Sequence, residues 1–219
     1  MAIEKISFQK NPNIGLYGFS TDKLCFLGGS VKEKVIKTIE KSLGVPVIKA
    51  SMLGTPLVGI FAAGNSKGVI VSDTVFEKEI DSVQKHTDVL VVETNFTALG
   101  NLILCNDHGC IISGEIEDHR NDIKKFLGVP VRVGTIAGMD LVGSLAVATN
   151  KGCLAYKMIE TKEAGMIGKT LNVNVDVGSV NFGNYWVKSG IIANSSGLLA
   201  GEQTSGPELG ICSETFGFL

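Results

Sequence analysis

No apolar run in this chain approaches the roughly 18 to 20 residues that a bilayer-spanning helix requires, although its mean hydropathy of +0.27 is high. The apolar excess is therefore expected in short buried strands, and no membrane partner is expected. Positive charge is not in surplus: 20 Lys and Arg face 22 Asp and Glu, for a net charge of -2. Without a global positive field, counterion release cannot drive DNA binding, and any RNA contact has to be local. Histidine is scarce, at three, and the five cysteines include no CxxC pair, which excludes the common zinc and dithiol redox motifs. Five cysteines suit a reducing cytosol, where most pack as small hydrophobes. The glycine-rich stretches lack GxxxxGK[ST] and any strand-GxGxxG-helix context, so no nucleotide is implied, nor any other cofactor. Met1-Ala2-Ile3-Glu4-Lys5 carries charge where a secretory leader needs an apolar core, so no leader is expected. No Pro/Ser-rich or charged linker divides the chain, which reads as one domain over 1–219.

What is present is repetition. Leu43-Gly44-Val45-Pro46-Val47 and Leu57-Val58-Gly59 return 84 residues later as Leu127-Gly128-Val129-Pro130-Val131 and Leu141-Val142-Gly143. Turn-like clusters recur at about half that spacing, at Asn65 to Gly68, Asn106 to Gly109, Asn150 to Gly152 and Asn194 to Gly197. About five units of 40 to 45 residues follow, at about 11–55, 56–99, 100–139, 140–182 and 183–219, with a closing strand over 1–10.

Each unit reads as strand, strand, helix, strand. The first strands begin at Asn13, Leu57, Leu102, Leu141 and Val187. In the first unit Ser30 and Glu33 have capping-box spacing, Val31, Val35, Ile39 and Leu43 form an apolar stripe, and Gly44 with Pro46 ends the helix. The second helix is expected to be capped by Asp73 and buried through Phe76, Ile80 and Val83. Its following strand, Asp88 to Thr94, is too apolar to be exposed on either face. Helices from about Asp118 to Leu127, from Thr161 (weakened by Gly165 and Gly168) and from Ser205, Pro207 and Glu208 complete the set. Too little chain follows the last helix for a third strand, while residues 2–9 form a strand without a unit. The N-terminal strand is therefore expected to complete the fifth unit and leave no unpaired seam. The fold class is α+β: a five-bladed, propeller-like ring of ββαβ-type repeats with pseudo-fivefold symmetry and helices outside.

That arrangement resembles the pentein fold. Asn13-Ile14-Gly15, Ala98-Leu99-Gly100-Asn101, Cys105-Asn106-Asp107 and Leu141-Val142-Gly143-Ser144 resemble, over the whole chain, the archaeal and eukaryotic family of translation initiation factor six, the ribosome anti-association factor. A chain ending just after the fifth helix is similar to the archaeal form. The resemblance implies binding to the intersubunit face of the large ribosomal subunit, near the sarcin-ricin loop and mainly through a ribosomal protein, with steric exclusion of the small subunit and no catalysis. The implied docking residues are Gly15, Gly59, Ile60, Gly100, Asn101, Gly143, Ser144 and, fifth, Lys188 or Ser189. Eukaryotic relatives carry an arginine where this chain has Ile60. Glycines at strand starts would let a flat partner approach the backbone, or would be strand-entry positions only. A ring without free edges favours a monomer.

The rival reading is a guanidine-modifying pentein enzyme, which needs a Cys made thiolate by a His or by positive potential. Cys105 and Cys110 flank the turn carrying His108, whereas His86 and His119 fall on predicted helices; two packed thiols are the plainer account. Lys32, Lys34, Lys37 and Lys41 make the first helix basic, with Lys124 and Lys125 on the third, which suits either a solvated face or RNA. Trp186 is either a docking aromatic or a buried anchor at the seam.

Overall fold

The computed structural model describes residues 2–29 and 31–219, and its architecture is mixed α+β with five three-stranded sheets. The chain opens with β1 (Ala2–Ile6) and a 3-10 turn at Ile14–Leu16. The hairpin β2 (Gly18–Ser20) and β3 (Cys25–Gly28), helix α1 (Glu33–Leu43) and β4 (Val47–Ala50) follow. The second pass comprises α2 (Val58–Phe61), β5 (Ala63–Asn65), β6 (Gly68–Ser72), α3 (Glu77–Gln84) and β7 (Asp88–Val92). The third has α4 (Leu99–Leu102), β8 (Ile103–Cys105), β9 (Cys110–Ile112), a 3-10 segment at Gly114–His119, α5 (Arg120–Leu127) and β10 (Val131–Val133). The fourth has α6 (Val142–Leu145), β11 (Ala146–Ala148), β12 (Gly152–Tyr156), α7 (Thr161–Leu171) and β13 (Asn174–Gly178). The last has a 3-10 turn at Val187–Gly190, β14 (Ile191–Ala193), β15 (Gly197–Gly201) and α8 (Gly206–Thr215).

In each of the first four passes the first two strands form an antiparallel hairpin, and the third returns parallel to the second after a helix. The fifth sheet draws its third strand from the other end of the chain. There β1 lies parallel to β15, with Ala2 opposite Gly197 and Ile6 opposite Gly201. The expected pairing of the N-terminal strand holds, although the strand stops at Ile6 and Phe8 makes only an isolated bridge to Asn11.

Each buried cluster draws on two successive passes. Phe26 of β3 packs with Val58, Val69 and Val83 of the second pass, and Leu154 of β12 packs with Val187, Cys212 and Phe216 of the fifth. Ile192 and Leu199 of the last hairpin join Cys25, Ile39 and Leu43 of the first pass. Burying one such side chain contributes about 1.5–3 kcal/mol, so each pass is stabilised mainly by its neighbours.

The recurrent turns supply polar links between passes. The Asn106 side-chain amide donates to Thr149 O and Leu171 O, both at 2.9 Å, and so caps the end of α7. The Asn194 amide donates to Thr21 O at 3.1 Å and Leu43 O at 2.9 Å, capping α1. Asn65 reaches Asn106 O at 3.2 Å. These asparagines are buried, and each satisfies carbonyls that a helix end would otherwise leave without a partner.

Several local expectations are corrected. The predicted first strands at Asn13, Leu57, Leu141 and Val187 begin instead as single helical turns, and the sheet strands start later, at Gly18, Ala63, Ala146 and Ile191; the third holds, from Ile103. The Ser30 side of the predicted capping box lies outside the described residues, and α1 starts at Glu33. Asp73 is not the cap of α3, whose N-cap position is Phe76; Phe76 is 50% exposed, and Val75 is buried in its place. β7 is an edge strand with Val91 42% exposed, because the sheet ends there, although Val89 and Val92 still pack against buried clusters on its two faces. The third helix, expected from about Asp118, begins as α5 at Arg120, preceded by the 3-10 segment, which is itself broken at Ile116, whose φ of -124° is not helical. α7 runs its full length despite Gly165 and Gly168, supported by a capping box between Glu160 and Glu163.

Candidate functional site

The single helical turns meet one another in sequence: Ile14–Leu16 touches α2, α2 touches α4, α4 touches α6, α6 touches Val187–Gly190, and that turn touches Ile14–Leu16 again. Their glycines explain the contact. A Cβ at Gly59 would lie 2.0 Å from Gly15 O, one at Gly100 2.2 Å from Gly59 O, and one at Gly143 2.3 Å from Gly100 O. Each glycine thus leaves room for the carbonyl of the preceding turn, a close approach no side chain allows. These glycines are not strand entries; their missing side chains serve packing within the chain.

One turn departs from the pattern: Lys188 stands where the other four have Gly15, Gly59, Gly100 and Gly143. Its side chain runs inward, and Nζ donates to Gly100 O at 2.6 Å. Burial pulls its pKa from 10.5 down to about 8, with nearby Cys105 acting the other way. Lys188 separates two spaces. On one side is an open depression of about 360 Å³ lined by Gly15, Gly59, Ile60, Asn101, Ser144 and Trp186. On the other, a smaller space of about 60 Å³ is lined by the first strands of all five sheets.

Of the predicted docking residues, Ile60, Asn101 and Ser144 present partly exposed side chains to the depression. All four glycines are buried; Gly15 and Gly59 line it through backbone, and Gly143 lines the smaller space. The Lys188 charge points away from the opening, so as a docking residue it offers only its stem. Trp186 is half-buried, its ring 4.9 Å from that of Tyr185, which lies 5.2 Å from Tyr156. It is both an anchor and part of the rim. Reading the sequence missed Asn13 and Asn184, which fix this rim: Asn13 Oδ1 accepts from Ser189 Oγ at 3.3 Å, and Asn184 Oδ1 accepts from Trp186 N at 3.0 Å. Asn13 directly precedes its helical turn while Asn184 stands three residues before the last one, so no shared position in the repeat signalled the pair.

Residues 3–215 match the eIF-6 family. The chain belongs to that family. It is similar to proteins named Translation initiation factor 6 from Pyrococcus abyssi (35% identity over 227 residues) and Pyrococcus furiosus (37% over 229 residues), in each case over 100% of both chains. A third, from Methanocaldococcus jannaschii, is 43% identical over 133 residues, covering 60% of this chain and 58% of its own.

In this family member Cys25, Cys110, Cys153 and Cys212 are buried as packed core thiols. Cys25, Cys153 and Cys212 are pushed up to about 12, by burial first and then by the nearby carboxylates of Glu40, Asp176 and Glu208 respectively. Burial likewise raises Cys110, with Cys105 adding to it. A nucleophilic thiol needs the opposite shift. Cys105 sits opposite Cys110 across the hairpin, as the spacing suggested; both are free, and Cys105 Sγ donates to Gly64 O at 3.0 Å. His108 is exposed at its turn. Among the described residues no three His, Cys, Asp or Glu side chains gather as a metal site, and no helix is long and apolar enough to cross a membrane.

Proposed function

We propose that this chain is a translation initiation factor that docks on the intersubunit face of the large ribosomal subunit and keeps the small subunit away by occupying that face. The reading takes its role from relatives named Translation initiation factor 6 that align over their full lengths. It takes its surface from one observation: Ile60, Asn101 and Ser144, contributed by three different passes, converge on a single open depression set on interlocked backbone. A rigid surface loses little entropy on docking, which suits steric exclusion without chemistry. In this reading the cyclic contacts of the helical turns and the β1–β15 pairing are those of a pentein ring with pseudo-fivefold symmetry. One domain spans 1–219, acting as a cytoplasmic monomer with a ribosomal protein near the sarcin-ricin loop as principal contact.

The test is co-sedimentation with purified large subunits. Wild-type protein is expected to migrate with them and to reduce the yield of joined ribosomes as it is added. Asn101→Glu and Ser144→Glu, which place acids on the depression, are expected to weaken co-migration at least about tenfold with unchanged thermal unfolding. Equal co-migration of wild type and both variants would remove this depression as the docking surface.

A further inference from the structure

Three loops that join one pass to the next hold a carboxylate in the same way. After β4, Glu79 Oε1 accepts from Ser51 Oγ at 2.6 Å and Gly54 N at 3.0 Å, while Oε2 accepts from Leu53 N at 2.8 Å. After β10, Glu163 accepts from Thr135 Oγ1, Gly138 N and Ala137 N at 2.6, 3.0 and 2.7 Å. After β13, Glu208 accepts from Ser179 Oγ, Gly183 N and Phe182 N at 2.8, 2.8 and 3.1 Å. In each case the glutamate is the third residue of the helix packed against that loop, α3, α7 or α8. Two adjacent N–H groups in left-handed backbone and one hydroxyl make the cradle, a concavity that favours an anion.

The loop after β1 has the same construction. Ser7 takes the place of Ser51, Thr135 and Ser179, and Phe8 bridges Asn11 as Met52 bridges Thr55. Gln9 and Lys10 have φ of 54° and 67°, against 54° and 69° at Leu53 and Gly54. The helix packed here is α1, whose third residue is Val35. Val35 packs in the same apolar cluster as Phe8 and supplies no acceptor. Among the described residues neither Gln9 N nor Lys10 N has a hydrogen-bond acceptor. Ser7 Oγ donates to Glu202 Oε2 at 2.7 Å, an exposed contact that leaves both N–H groups unengaged. Gln9 and Lys10 are exposed, as are Lys32 and Lys34 at the start of α1.

We propose that the loop over residues 7–11 is a carboxylate-binding site that takes an acidic side chain of a partner protein on the Gln9 and Lys10 N–H groups and on the Ser7 hydroxyl, which turns its single proton from the exposed Glu202 to the incoming carboxylate. The chemistry of the ligand follows from the three sibling loops, which hold carboxylates with the same donors. The flanking lysines favour an acidic partner by attraction at the surface. The occupant comes from outside because Val35 stands where the internal glutamate would be.

The experiment follows backbone amide resonances of the whole, isotopically labelled chain during titration with end-blocked Gly-Glu-Gly, with end-blocked Gly-Gln-Gly and inorganic phosphate as parallel probes. Gln9 and Lys10 are expected to shift saturably with the glutamate peptide and not with the glutamine peptide. Ser7→Ala is expected to weaken that binding about tenfold. Val35→Glu supplies the missing carboxylate within the chain and is expected to move the same two resonances and abolish the response; should it fail to fold, Ser7→Ala carries the test. No shift with the glutamate peptide, equal shifts with both peptides, or a response to phosphate alone would overturn the proposal. So would Glu202→Gln moving the two resonances and making the peptide bind more tightly, since Glu202 would then be the occupant.

Discussion

The Lys188 ammonium donates to the carbonyl oxygen of Gly100 at 2.6 Å, tying the fifth pass to the third beneath the open depression. Its folded pKa of about 8 lies below the ordinary 10.5, so between these values the unfolded chain holds more protons and stability rises with pH. The charged form is a cost below about pH 8 that is relieved as pH climbs towards 10.5. Lys188→Met lacks this dependence. The stability of wild type minus that of Lys188→Met is expected to increase by up to about 3 kcal/mol from pH 8 to pH 10.5, measured by chemical denaturation. A difference that stays flat would mean that the ammonium is solvated.

Asn106 is 5% exposed, and its amide holds two carbonyls while its Oδ1 accepts from His108 N and Gly109 N at 2.9 and 3.0 Å. Asn106→Asp keeps the shape, removes both donors and sets a carboxylate against two carbonyl oxygens. A loss of about 3 kcal/mol or more is expected at pH 7. The loss should shrink in acid, because the new carboxyl, its folded pKa raised, gives back stability as pH falls from that value to its unfolded one, and fully below the latter.

Two glycine-to-alanine variants should move in opposite directions. Gly100→Ala forces a Cβ to 2.2 Å from Gly59 O, backbone that cannot step aside, and is expected to cost about 3 kcal/mol. Gly165 lies in α7 with nothing within 4 Å of an added Cβ, so Gly165→Ala is expected to stabilise by about 0.5–1 kcal/mol. Thermal melts of the pair give the signs directly.

Burial alone would raise the pKa of Glu208, but hydrogen bonds from Ser205, Gly183 and Ser179 outweigh it and hold the carboxyl at about 2 against 4.5. Its contribution is complete above about pH 4.5 and lost as pH falls through about 2. Glu208→Gln is expected to destabilise by about 1.5–3 kcal/mol at pH 7 and to converge with wild type near pH 2 in acid denaturation. A gap that persists at that pH would assign the effect to shape rather than charge.

The legible features were local or repeated. Ser205, Pro207 and Glu208 announced the start of α8, where a capping box forms, because every partner lies within three residues. The Leu-Gly-Val-Pro-Val echo gave the period, and the surplus strand at one end pointed to pairing with β15. The helical turns were not legible: Val58-Gly59-Ile60-Phe61 is an apolar run without periodicity, and glycine opposes helix, so only packing against Gly15 O selects that conformation. Glu79 reads in sequence as an ordinary solvated first-turn acid, yet it is 5% exposed because a loop 25 to 28 residues earlier folds over it. Phe76 was misplaced for the complementary reason, since spacing alone cannot say which end of an amphipathic stripe a neighbouring pass covers.

The sequence by itself determined the number of passes, the strand, strand, helix, strand order that follows each helical turn, and the family, because those depend on periodicity, turn chemistry and words repeated along the chain. Tertiary structure decided what each shared position does. At the same place in successive turns Gly59 admits a neighbour's carbonyl while Lys188 sends a charge beneath the depression. Glu79 fills the cradle that Val35 leaves open, and such outcomes depend on contacts between passes that no single pass encodes.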